Sequence, residues 1–247
     1  MRGSPPGDGA PQVFRCFALR PQLSASFAAQ QREENGGLSL SEGLELLQSL
    51  AAQGRLDAVG EAGFDLYGEE FKAGEIRQNE MFACHLETAI KYDLPMILHV
   101  RRAMHKIFPL APDLKKLPAV VFHSWSGTRG EGEALLRRGI NAFFSFGTTV
   151  LKNHREAMIC AAHFPLDRIL FETDAPYQPL RGKTFSSWRD LQQICVSIAA
   201  LRKGAGSPGA EADELEAQVT ANFFRVFNRP SVLPSPSPAG HLLSIVG

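Results

Sequence analysis

PMILHV (95–100) and PAVVFH (118–123) decide the fold. Each opens on a proline, runs through apolar residues and reaches a histidine, His99 or His123, at or beside its end. Continuous apolar runs of this length suit strands of a parallel sheet covered by helices on both faces. Two further runs finish in the same manner, LDAVGE (56–61) on Glu61 and RILFETD (168–174) on Asp174. A single strand-end His or carboxylate is usually just a hydrogen-bonded loop residue. Four in series suggest a ring of convergent ligands at the C-terminal mouth of a β/α barrel, where that fold places its chemistry.

Outward from these runs, strand and helix alternate. VFRCFAL (13–19) reads as a strand, and SLSEGLELLQSLAAQG (39–54) as a helix with Ser41 a candidate N-cap and Gly54 a candidate stop. Phe82, Leu86, Ala89 and Ile90 form one stripe of a helix over 75–92, which would leave His85 on the polar flank. Further helices are expected near 101–110, 130–138, 152–163, 188–201 and 212–227, with another strand at NAFFSF (141–146). In the last helix Leu215, Val219, Phe223 and Phe227 fall in register. The expected architecture is α/β, a TIM-like barrel with six strands rather than eight, and so incomplete at its N-terminal side.

Composition narrows the function. The 26 basic and 26 acidic residues cancel, so no global field advertises a polyanion partner, although a local basic rim is compatible with this balance. Cys16, Cys84, Cys160 and Cys195 show no CxxC spacing, which argues against a disulfide framework and fits a reducing, cytoplasmic setting. No apolar run approaches the roughly 18 residues of a membrane span, and MRGSPPGDGAP lacks the apolar core of a signal peptide. No membrane association and no obligatory protein partner are expected.

Divalent metals that activate water need His nitrogens and carboxylate oxygens converging on one point with a coordination position left open. Glu61, His99, His123 and Asp174 supply those types. The stretches VGEAGFD (59–65), LPMILHVRRA (94–103), VFHSWSG (121–127), FSFGTTVLKN (144–153) and ILFETDAPY (169–177), in this order, resemble the TatD family of metal-dependent deoxyribonucleases. The ending Asn222-Phe223-Phe224-Arg225-Val226-Phe227 is similar to that family's terminal N-x-x-R-x-F helix. The resemblance implies an amidohydrolase-type barrel that hydrolyses DNA phosphodiesters at a centre of zinc, magnesium or manganese, one or two ions per chain. It implies that Glu61 bridges two ions, that His99 and His123 hold one, and that Asp174 holds the other and orients the attacking water. Arg101 matches the family's H-x-R and would hold a phosphate; Arg181 supplies positive charge in the loop after Asp174. The expected organisation is a disordered segment at 1–12, a TatD-like hydrolase domain at 13–228 and a Pro/Ser-rich disordered tail at 229–247.

Three departures from the family pattern bear on the site. No His-x-His pair occurs in the chain, so the first two βα units of the family are expected to be missing. Without them one ion keeps three protein ligands and the other only Glu61 and Asp174. One metal is therefore expected to bind well and a second weakly or not at all. Arg20 stands where the family motif has a His before Pro; a cation there would either repel a metal or attract a phosphate. Arg181-Gly182-Lys183-Thr184 replaces the usual R-N-x-P. Glu172 shares a strand face with Asp174 and is either a partner behind a metal ligand or a buried acid paired to a basic neighbour. Trp125 and Tyr177 either stack on a base or pack the wall. Two other readings stay open: a metallohydrolase for an amide, lactone or small phosphoester, and a non-catalytic remnant that acts through binding.

Overall fold

The computed structural model describes residues 13–24 and 37–227; the segments 1–12 and 229–247, expected to be disordered, lie outside the described residues. Six parallel strands stand side by side in chain order: β1 (Cys16–Phe17), β2 (Ala58–Asp65), β3 (Met96–Arg101), β4 (Val120–Phe122), β5 (Ala142–Phe146) and β6 (Ile169–Phe171). Sequential order with helical crossovers is the arrangement of a β/α barrel. Among the described residues no ladder joins β6 back to β1. The main helices are α1 (Leu40–Ala52), α2 (Glu69–Ala73), α3 (Glu75–Lys91), α4 (Met104–Ile107), α5 (Ala111–Leu114), α6 (Arg129–Arg137), α7 (Arg155–His163), α8 (Asp190–Gly204) and α9 (Ala212–Phe227).

The two-residue period of the strands sorts the core into two faces. Met96, Leu98, Val120, Phe122, Phe144 and Ile169 join the large cluster shared with the helices. Their neighbours Val121, Phe143 and Leu170, with Ile97 packed against them, form a smaller cluster on the other face. Continuing the same alternation places His99, His123, Ser145 and Glu172 above that second cluster, toward the C-terminal ends of the strands. Strand pattern thus delivers the chemistry to one face.

Strand β2 reaches the same face by a local irregularity. Val59 is level with Met96 and Ala62 with Leu98, so Gly60 and Glu61 together stand opposite Ile97, an extra residue that re-aims the strand. Gly60 is needed there, since a Cβ would fall 2.5 Å from that of Ile97. At Gly63, with φ +137°, a Cβ would meet the His99 carbonyl oxygen at 2.1 Å.

Several boundaries differ from the expectation, each for an identifiable reason. β1 pairs only at Cys16 and Phe17, because Arg15 gives its N–H to the Asp57 side chain at 2.7 Å instead of to a ladder. Helix α1 is capped by Ser39, not Ser41: Ser39 and Glu42 exchange side-chain and backbone bonds in a capping box. The helix expected near 101–110 is α4, a 3-10 turn (Phe108–Leu110) and α5, since Pro109 and Pro112 interrupt continuous hydrogen bonding. His85 is not on a polar flank. It is 1% exposed, and its Nε2 accepts the Leu19 N–H at 2.9 Å while Nδ1 donates to the Met81 carbonyl. Burial pushes its pKa down to about 4, so the imidazole is a neutral clamp between α3 and the end of the β1 segment.

Helix α9 spans the two ends of the sheet. Asn222 donates to the carbonyls of Leu166 and Ile169, both at 2.9 Å, at the start of β6. Phe223 and Phe227 meet Phe14 just before β1, at centroid distances of 5.2 and 6.0 Å. Val226 completes the small cluster beneath the site.

Candidate metal centre

Glu61, His99 and His123 each offer one ligand atom, and these atoms lie within 4.8 Å of one another. The three residues come from the bulge of β2, from β3 and from the residue after β4, which the parallel register sets side by side. They line a cleft of about 550 Å³ together with Arg20, Arg101 and Asp174.

Both histidines are held from behind by carboxylates. His99 Nε2 lies 3.2 Å from Asp65 Oδ2, and His123 Nδ1 lies 3.1 Å from Glu172 Oε1. Each imidazole so gives one ring nitrogen to an acid and keeps the other. That is how metal-binding histidines are usually oriented. His123 keeps Nε2, which stands 3.7 Å from Glu61 Oε1. Bonds of about 2 Å to a shared ion need only small side-chain rotations from this spacing. The donor set, two imidazoles and a carboxylate, fits a single divalent ion.

The backing acids are strongly anchored. Burial alone would raise the carboxyl of Glu172, but bonds from His123, Ser145 and Ser124 outweigh it and hold the group below its ordinary value. Burial likewise opposes charge on His123, yet its bond to Glu172 and the charges of Glu172, Glu61 and Asp174 push it up to about 9. Asp65 is 1% exposed; its Oδ2 also accepts from the Gln22 amide at 2.8 Å, and its Oδ1 from the Tyr67 N–H at 3.0 Å. Burial pushes Asp65 up, and these bonds with that of His99 bring it down past its usual range.

Asp174 stands on the cleft wall but outside the converging group. Its Oδ2 accepts from Gln178 Nε2 at 2.8 Å, and the same amide donates to Ser124 Oγ at 2.8 Å. Ser124 in turn donates to Glu172 Oε1 at 2.7 Å. Ser124, Asp174 and Gln178 all adopt left-handed backbone, at φ 46°, 52° and 55°, a conformation uncommon for side chains other than glycine. Three such residues on one hydrogen-bonded chain join the turn after β4 to the loop that presents Asp174 and Gln178 after β6.

Arg101 stacks over the exposed Tyr67 ring at 3.7 Å and lines the cleft. Arg181 is an exposed residue of the loop after β6 and does not line it. Arg20 sits 3.4 Å from Glu61 Oε2 and 5.5 Å from the Tyr177 ring centre. Trp125 is buried against Phe122 and Phe144, a wall residue, whereas Tyr177 is exposed at the cleft. Sequence reasoning missed Gln22, Asp65 and Gln178. Asp65 carried a readable signal, since it too is a carboxylate closing an apolar run. The two glutamines carried none.

A parallel α/β sheet of barrel type, with a His/His/Glu group backed by acids at the C-terminal strand ends, defines the metal-dependent hydrolases of this architecture. The sequence model of the family described as TatD related DNase matches residues 9–228. The chain belongs to that family. It is 33% identical over 189 residues to the 3'-5' ssDNA/RNA exonuclease TatD of Erwinia tasmaniensis, covering 74% of this chain and 70% of that protein. It is 30% identical over 235 residues to the uncharacterized metal-dependent hydrolase YjjV of Escherichia coli, covering 91% and 85%. The crystal structure of the E. coli YjjV TatD homolog superposes with a TM-score of 0.69 at 28% identity, over 88% of this chain and 77% of that one. An uncharacterized amidohydrolase from Saccharomyces cerevisiae shares the fold at a TM-score of 0.65 and 14% identity, over 87% and 80%.

Proposed function

We propose that the domain spanning residues 13–228 hydrolyses phosphodiester bonds of single-stranded nucleic acid, DNA foremost, with Glu61, His99 and His123 holding a divalent ion. The convergence of those three side chains, each histidine braced by its own acid, carries this reading. When bound, the ion lowers the pKa of its water and neutralises charge on the phosphoryl oxygen. Two imidazoles and one carboxylate favour zinc over magnesium, with manganese between them in affinity for nitrogen ligands. Asp174, its carboxylate fixed by Gln178, orients the attacking water. Arg101 holds a phosphate by charge-assisted hydrogen bonds, and Arg181 meets the strand outside the cleft. The four unpaired cysteines agree with work in the reducing cytoplasm. The names of the TatD relatives support the choice of substrate.

The test pairs an assay with metal analysis. The zinc- or manganese-loaded chain is expected to release nucleotides from single-stranded DNA and to stop when stripped by chelator. His123→Ala should lose most of its metal after dialysis. Equal metal content in both proteins would refute the ligand assignment, and absence of nucleotide release by the loaded wild type would refute the substrate.

A further inference from the structure

We propose that Arg20 is a built-in cation that grips the phosphate to be cleaved, standing beside Glu61 where a second metal ion would otherwise lie. The inference rests on the nucleic-acid reading above and names how this chain holds its substrate. The Glu61 carboxylate is divided between two partners. Its Oε1 faces His123 Nε2 at 3.7 Å, on the side of the convergent ligands, while its Oε2 faces the Arg20 Nε at 3.4 Å. A carboxylate that bridges two ions would present one oxygen to each. Here the second oxygen is met by a guanidinium.

The rest of the cleft agrees. Glu61, His99 and His123 are the one group of His, Cys, Asp and Glu among the described residues whose atoms could hold an ion. Asp174, the acid left for a second ion, has its Oδ2 engaged by Gln178. Arg20 is not spent on a buried ion pair: its side chain is 47% exposed, lines the cleft, and contacts Glu61 through Nε. A guanidinium is a planar fork of five donors that matches phosphate geometry, so the terminal nitrogens can serve a ligand while Nε stays on Glu61.

Arg20 is also placed by the fold, not left to swing. Leu19, the residue before it, gives its N–H to the buried His85, and Pro21 after it opens a 3-10 turn (Pro21–Ser24) whose Gln22 is bonded to Asp65. The Tyr177 ring lies 5.5 Å from its Cζ, so the charge has an aromatic face beside it. Cleavage needs positive charge set against the phosphoryl oxygens; with one ion, Arg20 supplies the remainder.

The experiment uses the full-length chain and reads binding without turnover. Zinc stoichiometry and the affinity of the zinc-loaded protein for thymidine 5′-monophosphate are measured by calorimetry for wild type, Arg20→Ala and Arg20→Lys. One zinc per chain is expected in all three. Arg20→Ala should bind thymidylate about tenfold or more weakly, as loss of a charged hydrogen bond requires. Arg20→Lys, which keeps a point charge but not the fork, should fall between. Two tight zinc sites in the wild type would overturn the proposal, as would thymidylate affinity unchanged in Arg20→Ala. Loss of zinc from Arg20→Ala would also overturn it, by showing that Arg20 acts through Glu61. If thymidylate binds through Arg20 but no DNA is cut, the proposed function fails while Arg20 stands as a phosphate-binding residue.

Discussion

At the scale of single residues, the centre is built in two layers that differ in how readable they are. His99, His123 and Glu61 ended apolar runs and could be picked out by position; the structure brings these three together. Glu172 was readable because strands repeat every two residues, which put it on the same face as Asp174; it proves to be the acid behind His123, 3.1 Å away. Gln22 and Gln178 were not readable. An amide in a loop has no period and no characteristic spacing, and its role arises only when the chain brings it against Asp65 or Asp174. The acid layer has a measurable consequence. Glu172→Gln keeps the shape but removes the charge that orients His123, so zinc affinity is expected to drop by about 10- to 100-fold. Competition with a chromophoric zinc indicator reads this directly; an unchanged dissociation constant would mean that Glu172 merely fills space.

At the scale of elements, helix α3 shows why the burial of His85 is hard to foresee from sequence. Its apolar stripe was visible, but a histidine beside such a stripe looks like a surface residue unless something on another element needs an acceptor. The Leu19 N–H is that need. The cost appears with acid. His85 in the folded chain titrates at about 4, whereas in the unfolded chain it takes up its proton nearer 6.5. The unfolded state therefore binds the proton first as pH falls. Stability from this clamp is complete above about pH 6.5 and declines between 6.5 and 4, by roughly 3 kcal/mol in all. Urea unfolding at pH 7 and pH 4.5 should show the wild type losing roughly 2–3 kcal/mol more than His85→Gln. Equal losses would contradict the clamp. After β3, Pro109 and Pro112 split the expected helix into short turns, a break that prolines in the sequence announce.

At the scale of the whole molecule, the strands were legible because each is a continuous apolar run, and the described residues hold the six that the sequence suggests. How the two ends of the described sheet are tied together was not legible, since it depends on contacts between residues about 200 positions apart. Phe14, before β1, packs on Phe223 and Phe227 of α9, while Asn222 on the same helix holds the start of β6. One helix therefore links the first strand to the last. If that link is cooperative, Phe14→Ala and Phe223→Ala should not be additive: a double-mutant cycle by urea unfolding is expected to give a coupling of about 1 kcal/mol. Additive losses would show that α9 binds the two ends independently. The same contact sets a polarity. Phe14 and Phe227 stand together at the N-terminal ends of the strands, and the cleft opens at the other ends. A solid support or reporter coupled directly beside either residue would sit at one pole of the molecule and leave the cleft at the opposite pole unobstructed.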